Sequence, residues 1–478
     1  MCAARLPFAF ARDNQVALDD DTLLIGPEAT ANGLRAARLV AGRPVDPEPL
    51  DAEAFLARLA RLHDGGTEAA SDVAFDLEDA PGGAARDLLD DPEEAPVIRL
   101  VNQLFRQAVR GAASDLHLEP HEDGLRARMR IDGTMQTVFD RRDVPARRVV
   151  SRLKVMAGLD IAETRLPQDG RIALRLGGRA IDVRLSTLPG QHGERVVMRL
   201  LDRSAGLMAL DRLGLSDADA ARLNRLAALP DGIILATGPT GSGKTTTLYS
   251  LLRLANRRER TILTVEDPVE YDLPGISQTP VNPDIGLTFA RGLRSILRQD
   301  PDVILVGEIR DGETAQVACE AALTGHLVFS SLHANTVLSA VVRLRELGVE
   351  GYLVAATLRG VIAQRLVRRL CPDCARMAAP TADEAVPFVA QGLPVPALIG
   401  HAEGCDACDG SGFAGRIGIF DILEIDDSLR AAIDTDASET ALRDAAGPRP
   451  SLLAAALARV ASGETSLAEV RRVLGDSA

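Results

Sequence analysis

Gly238-Pro-Thr-Gly-Ser-Gly-Lys-Thr245 fits the pattern G-x-x-x-x-G-K-[ST] at every position. The apolar run Gly232-Ile-Ile-Leu-Ala-Thr237 leads into it, and Lys244 to Ala255 continues from it with helical character. Strand, glycine turn and helix in that order make a phosphate cradle. The glycines let backbone N–H groups converge on phosphate oxygens, and the helix N-terminus adds partial positive charge. Gly238, Pro239, Thr240, Gly241, Ser242, Gly243, Lys244, Thr245 and Thr246 are thus the candidate nucleotide-binding residues, with Thr245 the candidate Mg2+ ligand. Of 54 Lys and Arg residues only Lys154 and Lys244 are lysines. Lysine persists in the loop because a compact ammonium slides between β- and γ-phosphates where a fork-shaped guanidinium does not. The loop predicts binding of ATP or GTP.

Working outward, Thr261-Ile-Leu-Thr-Val265, Val303-Ile-Leu-Val306 and Gly325-His-Leu-Val-Phe-Ser330 read as further buried strands alternating with helices. That alternation, from about residue 206 onward, predicts an α/β domain with a doubly wound parallel sheet. In such sheets ligands gather at the C-terminal strand ends. Two acidic groups fall there: Glu266, within Thr264-Val-Glu-Asp-Pro-Val-Glu-Tyr271, and Glu308, within Val303-Ile-Leu-Val-Gly-Glu-Ile-Arg-Asp311. Both are placed to face a γ-phosphate and its water. Two of the seven histidines, His326 and His333, flank the strand that follows and are candidate γ-phosphate sensors.

Cys371-Pro-Asp-Cys374 and Cys405-Asp-Ala-Cys408 form two C-x-x-C pairs, each able to give two thiolates to one tetrahedral Zn2+. Their separation exceeds that of common zinc ribbons, so the intervening residues must form an excursion of their own. Redox chemistry is the alternative use of such pairs, and a disulfide framework does not suit a chain without an export signal.

Upstream, Leu125-Arg-Ala-Arg-Met-Arg-Ile131 alternates as a strand with its arginines on one face, and Asp132-Gly133 is a hairpin turn signal. Residues 97–205 therefore read as a mixed α+β module. The acidic, Gly/Pro/Ala-rich stretch up to Pro96 reads as a linker over 76–96, preceded by a small module over 1–75 with a helix from Asp51 to Leu62. The net charge of −14 is concentrated early: residues 1–94 hold 20 Asp and Glu against 8 Arg. Such a balance opposes non-specific nucleic-acid binding, which works by neutralising phosphates with cations. No apolar run approaches the ~20 residues that span a bilayer. A cytoplasmic location follows, with membrane contact only through partners.

Together these residues resemble the secretion ATPases of the bacterial type II system, within the wider type II/type IV pilus ATPase superfamily. The resemblance covers nearly the whole chain. It is carried by Ala113-Ser-Asp-Leu-His-Leu-Glu-Pro120, Arg165-Leu-Pro-Gln-Asp-Gly-Arg171, the glycine loop, the acidic box from Thr264, Gly307-Glu-Ile-Arg-Asp311, the histidine box, the paired cysteines and Phe289-Ala-Arg-Gly-Leu-Arg-Ser-Ile-Leu-Arg-Gln-Asp-Pro-Asp302. What it implies is a RecA-like P-loop motor domain over 206–478, with a zinc subdomain inserted at 371–408. A PAS-like subdomain (97–205) and an N-terminal adaptor domain, including Leu6-Pro-Phe-Ala-Phe-Ala11, would precede it. The implied activity is ATP hydrolysis by a homo-hexamer that drives pseudopilus assembly, docked on an L-type inner-membrane adaptor protein and an F-type platform protein. Type IV pilus extension or DNA uptake is the runner-up, and a non-hydrolysing scaffold the alternative from another class. By the same resemblance Lys244 and Thr245 hold phosphates and Mg2+, and Glu308 polarises water. Glu266 supports the metal or water, which leaves open the glutamate that serves as base. Arg184, Arg199, Arg294 and Arg298 are implied to reach the phosphates.

Overall fold

The computed structural model describes residues 11, 14–19, 22–41, 45–51, 54, 55, 58, 95–176, 179–202, 208–256 and 258–475. The segment Leu6 to Phe10, the linker as far as Glu94 and most of the helix expected from Asp51 lie outside the described residues. The chain forms two compact units, one of Met1–Gly111, Asp115–Met129 and Thr137–Ser204, the other of Ala112–Ser114, Arg130–Gln136 and Ala205–Ala478.

In the first unit, β1 (Val16–Asp19), β2 (Thr22–Ile25) and β3 (Asp46–Pro49) make a small sheet in that order, beside the helix Ala31–Ala41. Val16, Leu24, Ala37 and Phe55 are among its fully buried side chains.

A second sheet contains β4 (Asp115–His121), β5 (Gly124–Ile131), β6 (Thr134–Arg141), β7 (Gln168–Leu176), β8 (Arg179–Leu188) and β9 (Arg195–Asp202), ordered β6-β5-β4-β9-β8-β7. Strand β5 alternates as its sequence demands: Leu125, Ala127 and Met129 are buried. Arg126 on the opposite face donates to Asp140 at 2.7 Å, and Arg128 to Glu119 at 2.5 Å. Asp132 (φ 46°) and Gly133 (φ 79°) make the two-residue turn into β6, where both positive φ values match the twist of the strands.

The helix Ala146–Met156 carries Lys154, which is 1% exposed. Its ammonium donates to the Glu194 carboxylate at 2.8 Å and to the Glu163 carbonyl at 2.6 Å. Charge pairing together with that second acceptor is what makes burial of a lysine tolerable.

The second unit is built on a seven-stranded sheet. Its strands are β10 (Gly232–Thr237), β11 (Ile262–Glu266), β12 (Ser277–Pro280), β13 (Val303–Val306), β14 (Leu327–Leu332), β15 (Leu358–Leu370) and, after the short β16 (Arg376–Ala378) and β17 (Ile399–His401), β18 (Phe413–Glu424). The order is β12-β11-β13-β14-β10-β15-β18, parallel except for β18, which returns antiparallel along β15. Every residue of β10, β13 and β14 is buried. Helices cover both faces, so Ile233 and Leu235 enter one core while Ile234 and Ala236 enter the other. The doubly wound parallel sheet expected from the sequence is met, with an antiparallel edge added by β18.

Between β16 and β17 the helix Ala382–Ala390 contains Pro387. Proline cannot donate to the carbonyl of Asp383, one turn earlier; Arg471 donates to it instead, at 3.3 Å. Four helices, Asp427–Asp434, Glu439–Ala446, Leu452–Ala461 and Leu467–Leu474, follow β18. The last carries Glu469, 1% exposed, whose carboxylate accepts from Arg368 at 2.8 Å and from Arg472 at 2.7 Å. Burial pushes the Glu469 carboxyl up, but the hydrogen bonds from Arg472 and Arg368 outweigh it and hold the group below its ordinary value.

Candidate functional site

Strand β10 ends at Thr237 and the loop begins at once. Gly238 has φ 145°, and a Cβ there would stand 2.6 Å from both the Gln364 carbonyl and Ser242 Oγ. Gly243 has φ 91° and caps the helix Lys244–Ala255 without a side chain. A capping hydroxyl would have claimed one of the first-turn N–H groups; glycine leaves them aimed at the loop. Lys244 Nζ folds back over the turn, donating to the carbonyls of Gly238 at 2.7 Å and Pro239 at 3.1 Å. Burial draws its pKa below the ordinary lysine range, while Glu308 pulls the other way. Pro239, Thr240, Gly241 and Thr245 stand at or near the surface, and Thr246 is half-buried. Thr237 and Ser242 are buried at 0% and 2% exposure, and their hydroxyl oxygens have no hydrogen-bond partner among the described residues. A loop with open N–H groups, a cation and orphaned hydroxyls is built for an anion.

The acidic side is fixed by the neighbouring strands. Ser330 Oγ donates to the Val306 carbonyl at 2.7 Å, Ser331 Oγ to the Gly307 carbonyl at 2.9 Å, and Gly307 N to the Val265 carbonyl at 2.8 Å. The backbone that delivers Glu308 is thereby pinned between β11 and β14. Glu308 accepts from Arg310 at 2.5 Å, and His333 Nε2 lies 3.6 Å from its other oxygen. Asp311 caps the helix Gly312–Leu323, accepting from Thr314 N at 2.8 Å.

The structure brings Lys244, Glu308 and His333 to the same ends of parallel strands, but it does not bring His326 there. Strands β10 and β14 run in register from Gly232↔Leu327 to Thr237↔Leu332, so His326 stands at the opposite edge of the sheet. Its carbonyl accepts from Gly232 N at 3.1 Å, and its Nδ1 lies 2.8 Å from the Ala321 carbonyl. At ~3.3 Å per residue, the strand separates it from His333 by roughly 20 Å. The expectation that His326 senses phosphate is therefore corrected: two histidines flanking one strand necessarily lie at opposite ends of it.

Glu266 is 4% exposed, and its carboxylate is already engaged. Oε1 accepts from Thr264 Oγ1 at 2.6 Å and from Gln278 Nε2 at 2.9 Å, and Oε2 accepts from the hydroxyl of fully buried Tyr249. Burial first, then the adjacent carboxylate, pushes the Tyr249 phenol far up, so it stays a donor. Nothing in the local sequence singles out Tyr249 or Gln278.

Arg294 and Arg298 lie at the surface; Arg294 pairs with Glu313 at 2.5 Å, and Arg298 donates to the Arg294 carbonyl at 2.8 Å. In the first unit, Arg184 stands opposite Arg199 across β8 and β9 and opposite Arg171 across β7 and β8. Arg199 Nε donates to Asp115 at 3.1 Å. Like charges directly opposed on a sheet destabilise it, so this row of facing arginines is electrostatically costly where it stands.

The sulfurs of Cys371, Cys374, Cys405 and Cys408 lie within 4.8 Å of one another. Three of the separations are 3.9 Å (Cys371–Cys405), 3.8 Å (Cys374–Cys408) and 3.7 Å (Cys405–Cys408). Tetrahedral bonds of ~2.3 Å would put sulfurs about 3.8 Å apart, so the set fits one ion. Backbone N–H groups of Cys405 and Gly412 point at Cys408 Sγ, each at 3.2 Å. The donation from Cys405 leads in drawing that thiol down to about 6. The tetracysteine cluster can hold a metal ion.

A family described as "Type II/IV secretion system protein" matches residues 90–472, and a second, described as a domain of GSPII protein E, matches residues 5–63. The type II secretion system protein E of Dickeya dadantii (strain 3937) is 47% identical over 485 aligned positions, covering 98% of this chain and 96% of that protein. The type II secretion system ATPase E of Vibrio cholerae serotype O1 is 50% identical over 413, covering 85% and 81%. Among solved structures, the Legionella pneumophila ATPase DotB aligns with a TM-score of 0.57 at 21% identity, over 82% of this chain and 97% of that one, a likeness of fold alone.

Proposed function

The chain belongs to the type II/IV secretion system protein family, and on that premise we propose how its residues do the work of an ATP-driven motor of type II secretion. It is an ATPase. The observation that carries the residue assignment is the convergence of Lys244, Glu308 and His333 at the C-terminal ends of β10, β13 and β14.

The N–H groups of the glycine loop and the helix that follows hold the phosphates, and Lys244 leaves its carbonyl partners to reach the β- and γ-phosphates. Thr245, in the first turn, would hold Mg2+, which supplies charge neutralisation across the phosphates. Glu308 orients water for attack on the γ-phosphorus. The bond to the β–γ bridging oxygen breaks, ADP and phosphate form, and the proton passes by way of Glu308 to solvent, with His333 beside it. Glu266 is a positioning residue rather than the base, because its oxygens are occupied by Tyr249, Thr264 and Gln278. Arg184, Arg199, Arg294 and Arg298 supply charge to phosphates once chains assemble as a homo-hexamer.

We assign Zn2+ to the four cysteines on the strength of the sulfur separations. Residues 1–75 serve as the adaptor toward the L-type inner-membrane protein, 76–96 as linker, 97–205 as the PAS-like subdomain and 206–478 as the motor, acting on the F-type platform protein. No helix among the described residues is long and apolar enough to cross a membrane, which suits attachment to the inner membrane through those partners.

Phosphate release tests the assignment. Wild-type protein should hydrolyse ATP, Lys244→Ala should not, and Glu308→Gln should bind ATP but turn over about 10²–10⁴-fold more slowly. Equal background rates for all of them would refute it.

A further inference from the structure

Strand β15 pairs with β10 as far as Thr237↔Ala363, so the next residues, Gln364 and Arg365, run alongside the glycine loop. Gln364, 2% exposed, accepts from Thr247 Oγ1 at 2.7 Å and ties the strand to the loop's helix. Arg365 is half-buried. It donates to two backbone carbonyls, Gln364 at 3.0 Å and Asn335 at 3.3 Å. Its Nη1 stands 3.1 Å from where a Cβ on Gly238 would lie. The guanidinium thus reaches over the end of β10 to the segment that follows β14, two residues beyond His333.

Among the described residues neither Arg365 nor Lys244 forms an ion pair. Both cations rest on carbonyls around one small loop. Burial lowers the pKa of each; for Lys244, Glu308 pulls back upward, and Arg365 adds a smaller downward push. Two neighbouring, partly desolvated cations with no counter-charge in contact are costly until a polyanion arrives. The carbonyls holding Lys244 are those of Gly238 and Pro239, and Arg365 comes in beside Gly238, so both sit at the end of the loop where the lysine meets the outer phosphates.

We propose that Arg365 is a further phosphate-binding residue of this site, gripping the terminal phosphate of ATP bound to its own chain. On binding, the guanidinium exchanges carbonyl oxygens for phosphate oxygens and releases Asn335, so the segment after His333 responds to the presence of that phosphate. This rests on the ATP assignment above and adds a cation that no loop motif contains.

Calorimetric titration of the full chain with Mg2+ and either a β,γ-imido ATP analogue or ADP tests it. Arg365→Gln should weaken analogue binding by about 10–50-fold while changing ADP binding less than about 3-fold, as expected for loss of a charge-assisted contact to one phosphate. Arg365→Lys should recover part of the analogue affinity, and melting temperatures should match wild type. An equal loss for both nucleotides, or no loss for either, would show that Arg365 only braces the loop and overturns the proposal. Wild-type protein that binds neither nucleotide would overturn the ATP assignment itself.

Discussion

Replacing Tyr249 with Phe removes one oxygen atom from the core and separates the two roles open to Glu266. Tyr249 is 0% exposed and Glu266 4% exposed, and the phenol is the donor to Oε2, while Thr264 and Gln278 share Oε1. Loss of that donor leaves a carboxylate oxygen unsatisfied and shielded from solvent. A hydrogen bond to a charged group contributes about 1.5–3 kcal/mol, so Tyr249→Phe should cost roughly 2–3 kcal/mol. For a unit of this size each kcal/mol moves the midpoint by about 2–4 °C, giving a fall of roughly 5–10 °C in the second unit's transition. Differential scanning calorimetry of the full chain reads this directly, with phosphate release measured in parallel at about 25 °C. Turnover should fall far less than in Glu308→Gln, because the glycine loop and Glu308 remain in place. A midpoint within about 1 °C of wild type, together with a turnover loss as deep as that of Glu308→Gln, would refute the positioning role and return Glu266 to the chemistry.

Other outcomes follow from the same geometry. His333→Ala should lower kcat by about 10–100-fold, whereas His326→Ala, at the far edge of the sheet, should leave kcat near wild type in the same steady-state assay. Cys405→Ser should abolish a bound zinc content of one ion per chain by elemental analysis, and chelation of wild-type protein should lower its melting temperature. Glu469 has a folded-state pKa below its unfolded value, so its contribution is present above the unfolded pKa and is lost as pH falls through the folded one. The melting-temperature advantage of wild type over Glu469→Gln should therefore be full near neutrality and shrink steadily below about pH 4.

The parts of the site legible in the sequence are those whose chemistry is local. Glycines that permit positive φ, a lysine at the first helical position and cysteines three positions apart carry their geometry in their spacing. Glu308 is readable because an apolar strand of four residues, Val303–Val306, ends just before it. Parallel register is not local. Gln364 and Arg365 lie far along the chain from the loop they flank and come beside it only because β15 pairs with β10. His326 falls outside the site for the same reason, since proximity along a strand says nothing about which end meets the ligand. The engagement of Glu266 needs Tyr249 from a helix and Gln278 from the edge strand β12, contacts that no window of residues contains. Pro387 stands inside a helix where local rules would end one, and the carbonyl it frees accepts from the distant Arg471 instead.

The scarcity of lysine gives a practical handle on this chain. Lys154 is sealed against Glu194 inside the first unit, which leaves the amine of the glycine loop as the one lysine open to amine-directed acylation under native conditions. Mass spectrometry of a briefly acylated sample would therefore report occupancy of a single side chain, without engineered tags, and a bound triphosphate would register as protection of one internal peptide.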